Sequence, residues 1–518
     1  MVTPEDLGGD GGGVTGEHLE QEAKLDVWPG FRLPELVGLA GGAAAAPATT
    51  SHLSATYHDT SDLRLARAGI SLRHREGDGT GWTLKLPAGV PGAEGVVSRT
   101  ETTFAGGREA VPAEVRTRLV GWTRSALLVP VARMKTVRRT VAITDADGGP
   151  LAEVVDDEVS AFEGSHLALR FREVEVEVEP AAPDGLLDEI VQRLCEAGAR
   201  PGGHRSKVSR VLGARASEAG DLDVPELGDD PSVAEVLRAG IARSVGLIVT
   251  HDAGVRAGAD PEAVHQARVG TRRLRSDLRA FGSLLLPAWT ASLRDELSWL
   301  ADALGRVRDA DVLLERLEQR VGRLPAGERA AGEVLVGRLR DQREGDRRHL
   351  LEVLDDQRYR DLLDRLVEAI RHPAVVDGAS RPAAKVLPGL AAEPWRRLRK
   401  EVDALGADPE EAQLHQVRIR AKRARYAADV AALVAGKPAR RFAKAVAGLQ
   451  EALGALQDAA VSEAWLVEAA AEVATGPAAV ALHIAGEERA EAERLRHDWA
   501  TAWDAVDAKR LRTWLERT

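Results

Sequence analysis

The sequence is poor in cysteine and in aromatic residues. Its 518 residues include one cysteine, Cys195, and aromatic side chains make up 4% of the chain. A single cysteine excludes an internal disulfide and any metal site that is built from several thiolates. We interpret Cys195 as a small buried side chain rather than as a nucleophile.

Long apolar runs are also missing from the sequence. No stretch approaches the ~20 consecutive apolar residues that a membrane-spanning helix needs. The N-terminus is acidic and rich in glycine, and it does not resemble a secretory signal peptide. These features predict a cytoplasmic protein.

The pattern of the chain changes twice, which predicts several domains. A length of 518 residues is too great for one ordinary core. Residues 1–16 predict an unstructured leader, residues 17–212 alternate as β-strands do, and residues 213–230 form an acidic linker. From residue 231 to residue 515 the period is helical. We therefore expect a multidomain α+β protein, in which an antiparallel β domain precedes an all-α domain of two repeats, at about 231–371 and 393–515.

Several predicted strands carry charge along one face. Phe171–Glu179 reads FREVEVEVE, and the period of two in a strand places its carboxylates opposite its valines. The same alternation puts charged residues on one face of other strands, in the sets Glu20, Glu22 and Lys24; Arg73 and Arg75; Arg99 and Glu101. A solvated outer face would explain one such strand. Recurrence on many strands favours a barrel with a polar lumen and an apolar outer wall that helices cover.

A lumen of mixed charge suits one class of ligand. A polyphosphate chain needs several cations around its oxygens, preferably arginines that bind in bidentate fashion. It also usually requires a divalent ion, which carboxylate oxygens hold. The charged strands therefore predict a site for a metal-bound phosphate chain.

The motif EQEAK at Glu20–Lys24 resembles the ExExK signature of the CYTH, or triphosphate tunnel metalloenzyme, family. Further segments follow in the order of that family: YHDT at Tyr57–Thr60, SLRHR at Ser71–Arg75, WTLKLP at Trp82–Pro87, SRTE at Ser98–Glu101, RR at Arg138–Arg139, AEVVDDEV at Ala152–Val159, EVEVE at Glu173–Glu177 and SKVSR at Ser206–Arg210. The resemblance covers about residues 17–212. It implies an eight-stranded antiparallel tunnel that binds a triphosphate.

The resemblance also implies roles for individual residues. Mg²⁺ or Mn²⁺ would be held by the carboxylates of Glu20, Glu22, Glu173 and Glu175, which with Lys24 form the expected catalytic set. A further ligand is expected from the AEVVDDEV strand; we choose Asp157, and spacing leaves Glu153 and Asp156 open. Phosphate oxygens would be bound by Lys24, Arg73, Arg75, Lys85, Arg99, Arg138 and Lys207.

Members of this family differ in activity. They hydrolyse inorganic triphosphate, thiamine triphosphate or the 5′-triphosphate of RNA, and some cyclise ATP. The sequence shows no aromatic platform for an adenine or thiazolium ring, which favours inorganic triphosphate or short polyphosphate as substrate. A class IV-type adenylate cyclase and a thiamine triphosphatase remain alternatives.

One segment of the helical region occurs twice. The first copy begins at Val264 and the second at Leu414, and in each a His is followed by basic residues at offsets of three, seven and ten. At about 100° per residue these offsets fall in one sector of a helix. The net charge of −11 does not oppose an anionic partner, because each copy carries five Lys or Arg residues and one acid.

The duplicated segment resembles the CHAD domain, a helical and internally repeated domain. The resemblance covers about residues 230–515 and implies a basic groove that binds inorganic polyphosphate. The groove would be lined by His265, Arg268, Arg272, Arg275, Arg279, His415, Arg418, Lys422 and Arg425. Nucleic acid is a less favoured ligand, because the stripes lack interleaved aromatic residues apart from Tyr426. A non-catalytic protein associated with polyphosphate granules remains an alternative to the enzyme.

Overall fold

The computed structural model describes residues 14–36, 38–39, 44–77, 80–87, 96–163, 165–179, 181–202, 206–406, 408–496 and 498–515. For residues 14–21, 44, 96–99 and 163 it describes the backbone alone. The chain divides into two compact units, residues 1–220 and residues 221–518. We call them the β unit and the helical unit.

The β unit is built on one antiparallel sheet. Among the described residues its strands are β1 (Val14–Val27), β2 (Ala44–Ala45), β3 (Thr49–Asp59), β4 (Ser71–Glu76), β5 (Gly81–Pro87), β6 (Val96–Phe104), β7 (Val129–Thr144), β8 (Pro150–Glu163), β9 (His166–Val178) and β10 (Arg200–Pro201). Eight of them pair in the order β1–β6–β5–β4–β3–β7–β8–β9. The last half of β1 also pairs with β9, so the path of paired strands returns to its start.

This topology confirms the antiparallel tunnel, with two differences in detail. Two strands of two residues each, β2 and β10, add to the eight that were expected. Strand β1 begins at Val14, inside the segment that was predicted to be an unstructured leader. Residues 1–13 lie outside the described residues.

Short helices lie along the β unit: α1 (Arg64–Arg67), α2 (Ala113–Arg118), α3 (Val120–Thr123), α4 (Leu186–Glu196) and α5 (Lys207–Leu212). Apolar side chains of the strands pack beneath them. Val174 and Val176 of β9 share a buried cluster with Leu186 and Ile190 of α4. Trp82 of β5 belongs to a second cluster, with residues of α1 and α2. The valines of β9 therefore face outward to the helices, and its alternating glutamates face the interior of the sheet.

The helical unit contains α6 (Val233–Ala257), α7 (Pro261–Ala280), α8 (Pro287–Arg323), α9 (Ala326–Asp355), α10 (Gln357–Arg371), α11 (Ala383–Asp403), α12 (Glu411–Ala435), α13 (Lys437–Ala470), α14 (Thr475–Leu495), α15 (Asp498–Val506) and α16 (Lys509–Arg512). Helices α8 and α9 share one apolar core with α13 and α14. The two repeats therefore fold against each other. None of the described helices is long and apolar enough to cross a membrane.

Both basic stripes are helical, as their period predicts. Helix α7 begins at Pro261, where a proline needs no hydrogen bond, and the Asp260 side chain accepts a hydrogen bond of 2.8 Å from Glu262 N. The predicted break between the repeats, at about residues 372–394, is shorter than expected. Helix α11 already begins at Ala383 and contains Pro388 and Pro394, because the packing of its buried face outweighs the backbone hydrogen bonds that the two prolines remove.

Candidate functional site

The interior of the β unit holds a cavity of about 180 Å³. Charged and hydroxyl side chains from opposite strands converge on it. Its lining residues are Lys24, Tyr57, Ser71, Arg73, Arg75, Lys85, Glu101, Arg138, Glu175, Glu177, Ser206 and Lys207. We call this the tunnel cavity.

Strand register explains why these side chains meet. Lys24 of β1 lies opposite Glu175 of β9, and Glu22 lies opposite Glu177. Paired residues of neighbouring strands point to the same face of a sheet. The charged face of β1 therefore continues directly into the charged face of β9.

Cations crowd one side of the tunnel cavity. The charge of Arg73, with burial and the charge of Arg138, lowers the pKa of Arg75 to about 10. Arg138 donates hydrogen bonds of 2.9 and 2.7 Å to the two carboxylate oxygens of Asp157. Burial opposes the charge of Arg138, but Asp157 raises its pKa above the usual value. Arg138 is thus held in place, whereas the charge of Arg75 is opposed mainly by its neighbours.

Three carboxylates form a cluster beside these cations. Oxygen atoms of Glu22, Glu175 and Glu177 all lie within 4.8 Å of one another. Glu22 is 1% exposed, so it is held away from the water that would otherwise stabilise its charge. Lys24 contacts both Glu175 and Glu22, at 3.2 Å from the latter. Hard oxygen donors at this spacing fit a divalent ion such as Mg²⁺ or Mn²⁺.

Glu173 and Asp157 lie around a lysine rather than in this cluster. The Nζ atom of Lys207 is 2.8 Å from Glu173, 2.7 Å from Glu175 and 3.1 Å from Asp157. Burial would lower the pKa of Lys207, but these carboxylates raise it well above its usual value. Lys207 is the first residue of α5, so this helix is anchored to the carboxylates of β8 and β9.

The three acids of the AEVVDDEV segment occupy different positions. Asp157 faces the interior beside Arg138. Asp156 points to the opposite face, where Arg172 donates to it at 2.8 and 2.7 Å, and Glu153 is exposed. Of the three, Asp157 faces the interior of the sheet, but it contacts Lys207 and Arg138 instead of joining the carboxylate cluster, so its role as a metal ligand stays a prediction. The side chains of Glu20 and Arg99 lie outside the described residues, although their backbones are partners in the β1–β6 pair.

The helical unit contains a second cavity, of about 280 Å³, between α7 and α12. Residues of both stripes line it: Arg272, Arg275, Ser276, Arg279, Ile419, Lys422, Arg423 and Tyr426. We call it the basic groove. Burial lowers the pKa of Lys422 to about 8, together with the charges of Arg418, Arg272 and Arg268. This mutual repulsion shows that the two stripes face each other.

Other residues of the stripes lie outside the lining of the groove. His415 Nδ1 is 2.6 Å from Gln457 Oε1, so the two side chains are hydrogen-bonded. Burial and the charge of Arg308 lower the pKa of His265. Arg268 pairs with Asp309 at 2.9 Å, and Arg425 donates to Gln450 at 3.1 Å. The two repeats therefore differ in how they support the stripes.

Comparisons with known proteins agree with both parts of the chain. A family model for the CYTH domain matches residues 19–209, and one for the CHAD domain matches residues 239–467. The chain is 35% identical, over 88% of its length and 89% of the other's, to the uncharacterized protein Rv2226 of Mycobacterium tuberculosis. The chain belongs to the CYTH–CHAD family.

Two solved structures resemble parts of this CYTH–CHAD protein. The CHAD domain from the plant Ricinus communis is 28% identical, with a TM-score of 0.46, over 55% of this chain and 96% of the other. PptA from Streptomyces chartreusis is 24% identical, with a TM-score of 0.45, over 53% of this chain and 99% of the other. The CYTH domain is a fold of metal-dependent enzymes, triphosphatases and cyclases among them.

Sequence reasoning missed part of the site in this CYTH–CHAD protein. In the CYTH domain it gave no role to Tyr57, Ser71, Glu101, Glu177 and Ser206, which line the tunnel cavity. The alternation of β9 offered a signal for Glu177, which continues the series of Glu173 and Glu175. In the CHAD domain it missed Ser276, Ile419 and Arg423. Both copies carry an arginine eight residues after the His, which was a signal for Arg423.

Proposed function

We propose that the CYTH domain hydrolyses inorganic triphosphate, or short polyphosphate, with Mg²⁺ or Mn²⁺. One observation carries this proposal: Glu175 and Glu177 belong both to the cationic tunnel cavity and to the carboxylate cluster. A phosphate chain among the arginines would therefore lie beside Glu22, Glu175 and Glu177, the carboxylates that would hold the ion.

The residues of the tunnel have separate roles in this reaction. Arg73, Arg75 and Arg138 bind phosphate oxygens, and Lys24 and Lys85 bind others from β1 and β5. Water attacks a terminal phosphorus, the bond to the bridging oxygen breaks, and phosphate and diphosphate are the products. When bound, the divalent ion neutralises charge that develops on the oxygens.

Crowding of the cations favours a highly charged substrate. The lowered pKa of Arg75 corresponds to roughly 3 kcal/mol that opposes its charged form. An anion that lies between Arg73, Arg75 and Arg138 relieves this repulsion. A triphosphate carries more negative charge and spans a greater length than a single phosphate, so it can neutralise more of these cations at once.

Phosphate release from tripolyphosphate tests the enzymatic proposal. We expect release that requires Mg²⁺ or Mn²⁺ and disappears with EDTA, and that exceeds release from ATP or thiamine triphosphate. Formation of cyclic AMP from ATP would instead indicate a cyclase. Binding of tripolyphosphate without release from any substrate would indicate a binding protein.

We propose that the CHAD domain binds polyphosphate in the basic groove. The support is the convergence of Arg272, Arg275 and Arg279 from α7 with Lys422 from α12 on one cavity. Retention of long chains by a domain of the same polypeptide would raise the effective concentration of substrate for the CYTH domain without further catalytic contacts.

Binding in the groove should depend on pH through Lys422. Its pKa of about 8 in the free protein means that it takes up a proton when the anion binds, so affinity should fall as pH rises. From pH 7.5 to pH 9 we expect a decrease of up to about tenfold for long-chain polyphosphate, whose internal phosphates do not titrate there. Titration calorimetry measures this dependence. Lys422→Arg should flatten the profile, and an unchanged slope in that variant would contradict the assignment.

A further inference from the structure

A third cavity, of about 290 Å³, adjoins the basic groove. It lies between the end of α7, α11 and α12, and it shares Ser276, Arg279 and Arg423 with the groove. Its other lining residues are Ala280, Ser283, Leu390, Glu393, Pro394, Arg397 and Arg420. We call it the side compartment. A ligand in the groove can therefore extend into it without leaving the protein surface.

The walls of the side compartment differ from those of the groove. Ala280, Leu390 and Pro394 give it an apolar face, which a bare phosphate chain could not use. Pro394 has no backbone N–H, so it cannot donate to the Leu390 carbonyl one helical turn earlier. This carbonyl and the Glu393 carboxylate are hydrogen-bond acceptors. The compartment therefore suits an organic group that carries hydroxyl or amino donors.

Cations mark the passage between the two cavities. Burial lowers the pKa of Arg279, and so do the charges of Arg423, Arg294 and Arg275. The Nε atoms of Arg294 and Arg423 are buried and have no hydrogen-bond partner in the described part of the chain. By contrast, Arg397 and Arg420, which line the side compartment alone, pair with Glu393 and Glu401, at 2.8 and 3.2 Å. Of these arginines, Arg279 and Arg423 line both cavities, so positive charge lies where a phosphate chain would end and an organic group would begin.

We infer that the helical unit binds a nucleoside polyphosphate, with its phosphates in the basic groove and its nucleoside in the side compartment. The volume of about 290 Å³ is sufficient for one sugar and one base. The sugar hydroxyls and a base amino group would donate to the Leu390 carbonyl and to Glu393. An arginine plane at the rim can stack on the base. This inference rests on the proposed binding of phosphate chains by the groove.

The test uses the full-length chain with Arg75→Glu, which reverses a charge in the tunnel and is expected to weaken binding there. Equilibrium binding of ATP and of tripolyphosphate is measured by calorimetry, without divalent metal. Ser283→Trp fills the compartment from an exposed position. Thr475→Trp, at an exposed site on α14, is the matched control.

We expect ATP to bind about tenfold more tightly than tripolyphosphate, because the nucleoside buries apolar surface. Ser283→Trp should remove that advantage and leave tripolyphosphate within about twofold, whereas Thr475→Trp should change neither ligand. Equal binding of both ligands, or equal weakening of both by Ser283→Trp, overturns the inference and leaves phosphate binding in place. If Arg272→Glu left the affinity for tripolyphosphate unchanged, that result would instead overturn the proposal that the groove binds phosphate chains.

Discussion

Glu177→Gln should reduce metal-dependent release of phosphate from tripolyphosphate by at least about 100-fold. A bound metal ion stabilises the charge of the transition state by several kcal/mol, and loss of a carboxylate ligand removes part of that stabilisation. Glu177 lies opposite Glu22 across the β1–β9 pair and within 4.8 Å of it and of Glu175, measured between ligand oxygens. The amide keeps the shape of the side chain but not its charge. Steady-state rates over a range of Mg²⁺ and Mn²⁺ concentrations would measure the effect.

The neighbouring Glu179 supplies a matched control for this variant. It follows in the same alternating series but is exposed. Glu179→Gln should therefore retain activity within about twofold, as surface substitutions usually do. If excess metal restored the rate of Glu177→Gln, the role of Glu177 would be limited to strengthening the binding of the metal ion. Full activity at low metal would refute its place among the ligands.

The double variant Arg272→Glu/Lys422→Glu should bind long-chain polyphosphate at least about 100-fold more weakly, since each charged contact contributes roughly 1.5–3 kcal/mol. These residues come from the two copies of the stripe and line the same groove. The slope of log affinity against log salt should also fall by roughly one for each cation lost. Binding titrations at several salt concentrations would measure both effects.

Arg494→Glu is the control for the double variant, because Arg494 lies on α14 with a side chain that is 74% exposed. It reverses a charge away from the groove, so affinity and salt slope should stay near those of the parent. If the control weakened binding as much as the double variant, the attraction would come from overall charge. Hydrolysis of tripolyphosphate should be unchanged in both proteins, because the tunnel is not altered.

The alternation of charge in β9 predicted the interior of the tunnel well, because a period of two leaves only one face for each residue. It could not choose among Glu173, Glu175 and Glu177, which alternation treats as equivalent. Strand register distinguishes them, since Glu177 lies opposite Glu22 whereas Glu173 lies opposite Asp26. Register depends on contacts across the sheet, and a single sequence does not specify these contacts.

Lys207 shows a second limit of sequence reasoning. The motif SKVSR implied a lysine that binds phosphate, and the residue does line the tunnel cavity. Its ion pairs with Glu173, Glu175 and Asp157 depend on the placement of α5, a helix of six residues. So short a helix is positioned by tertiary contacts rather than by its own propensity. In the helical unit, Pro388 and Pro394 predicted a break between the repeats. Helix α11 forms there nevertheless, because tertiary packing of its buried face outweighs the local effect of the two prolines.

The duplication of the stripe has a consequence for the direction of binding. The two ends of an inorganic phosphate chain are chemically identical. A groove made of two identical halves would therefore bind the chain in two equivalent orientations. This groove is not made of identical halves. Helix α7 lines it with three arginines and Ser276, whereas α12 lines it with Lys422, Arg423, Ile419 and Tyr426. For a chain with identical ends this difference has no directional effect. A groove with unlike halves can orient only a chain whose two ends differ.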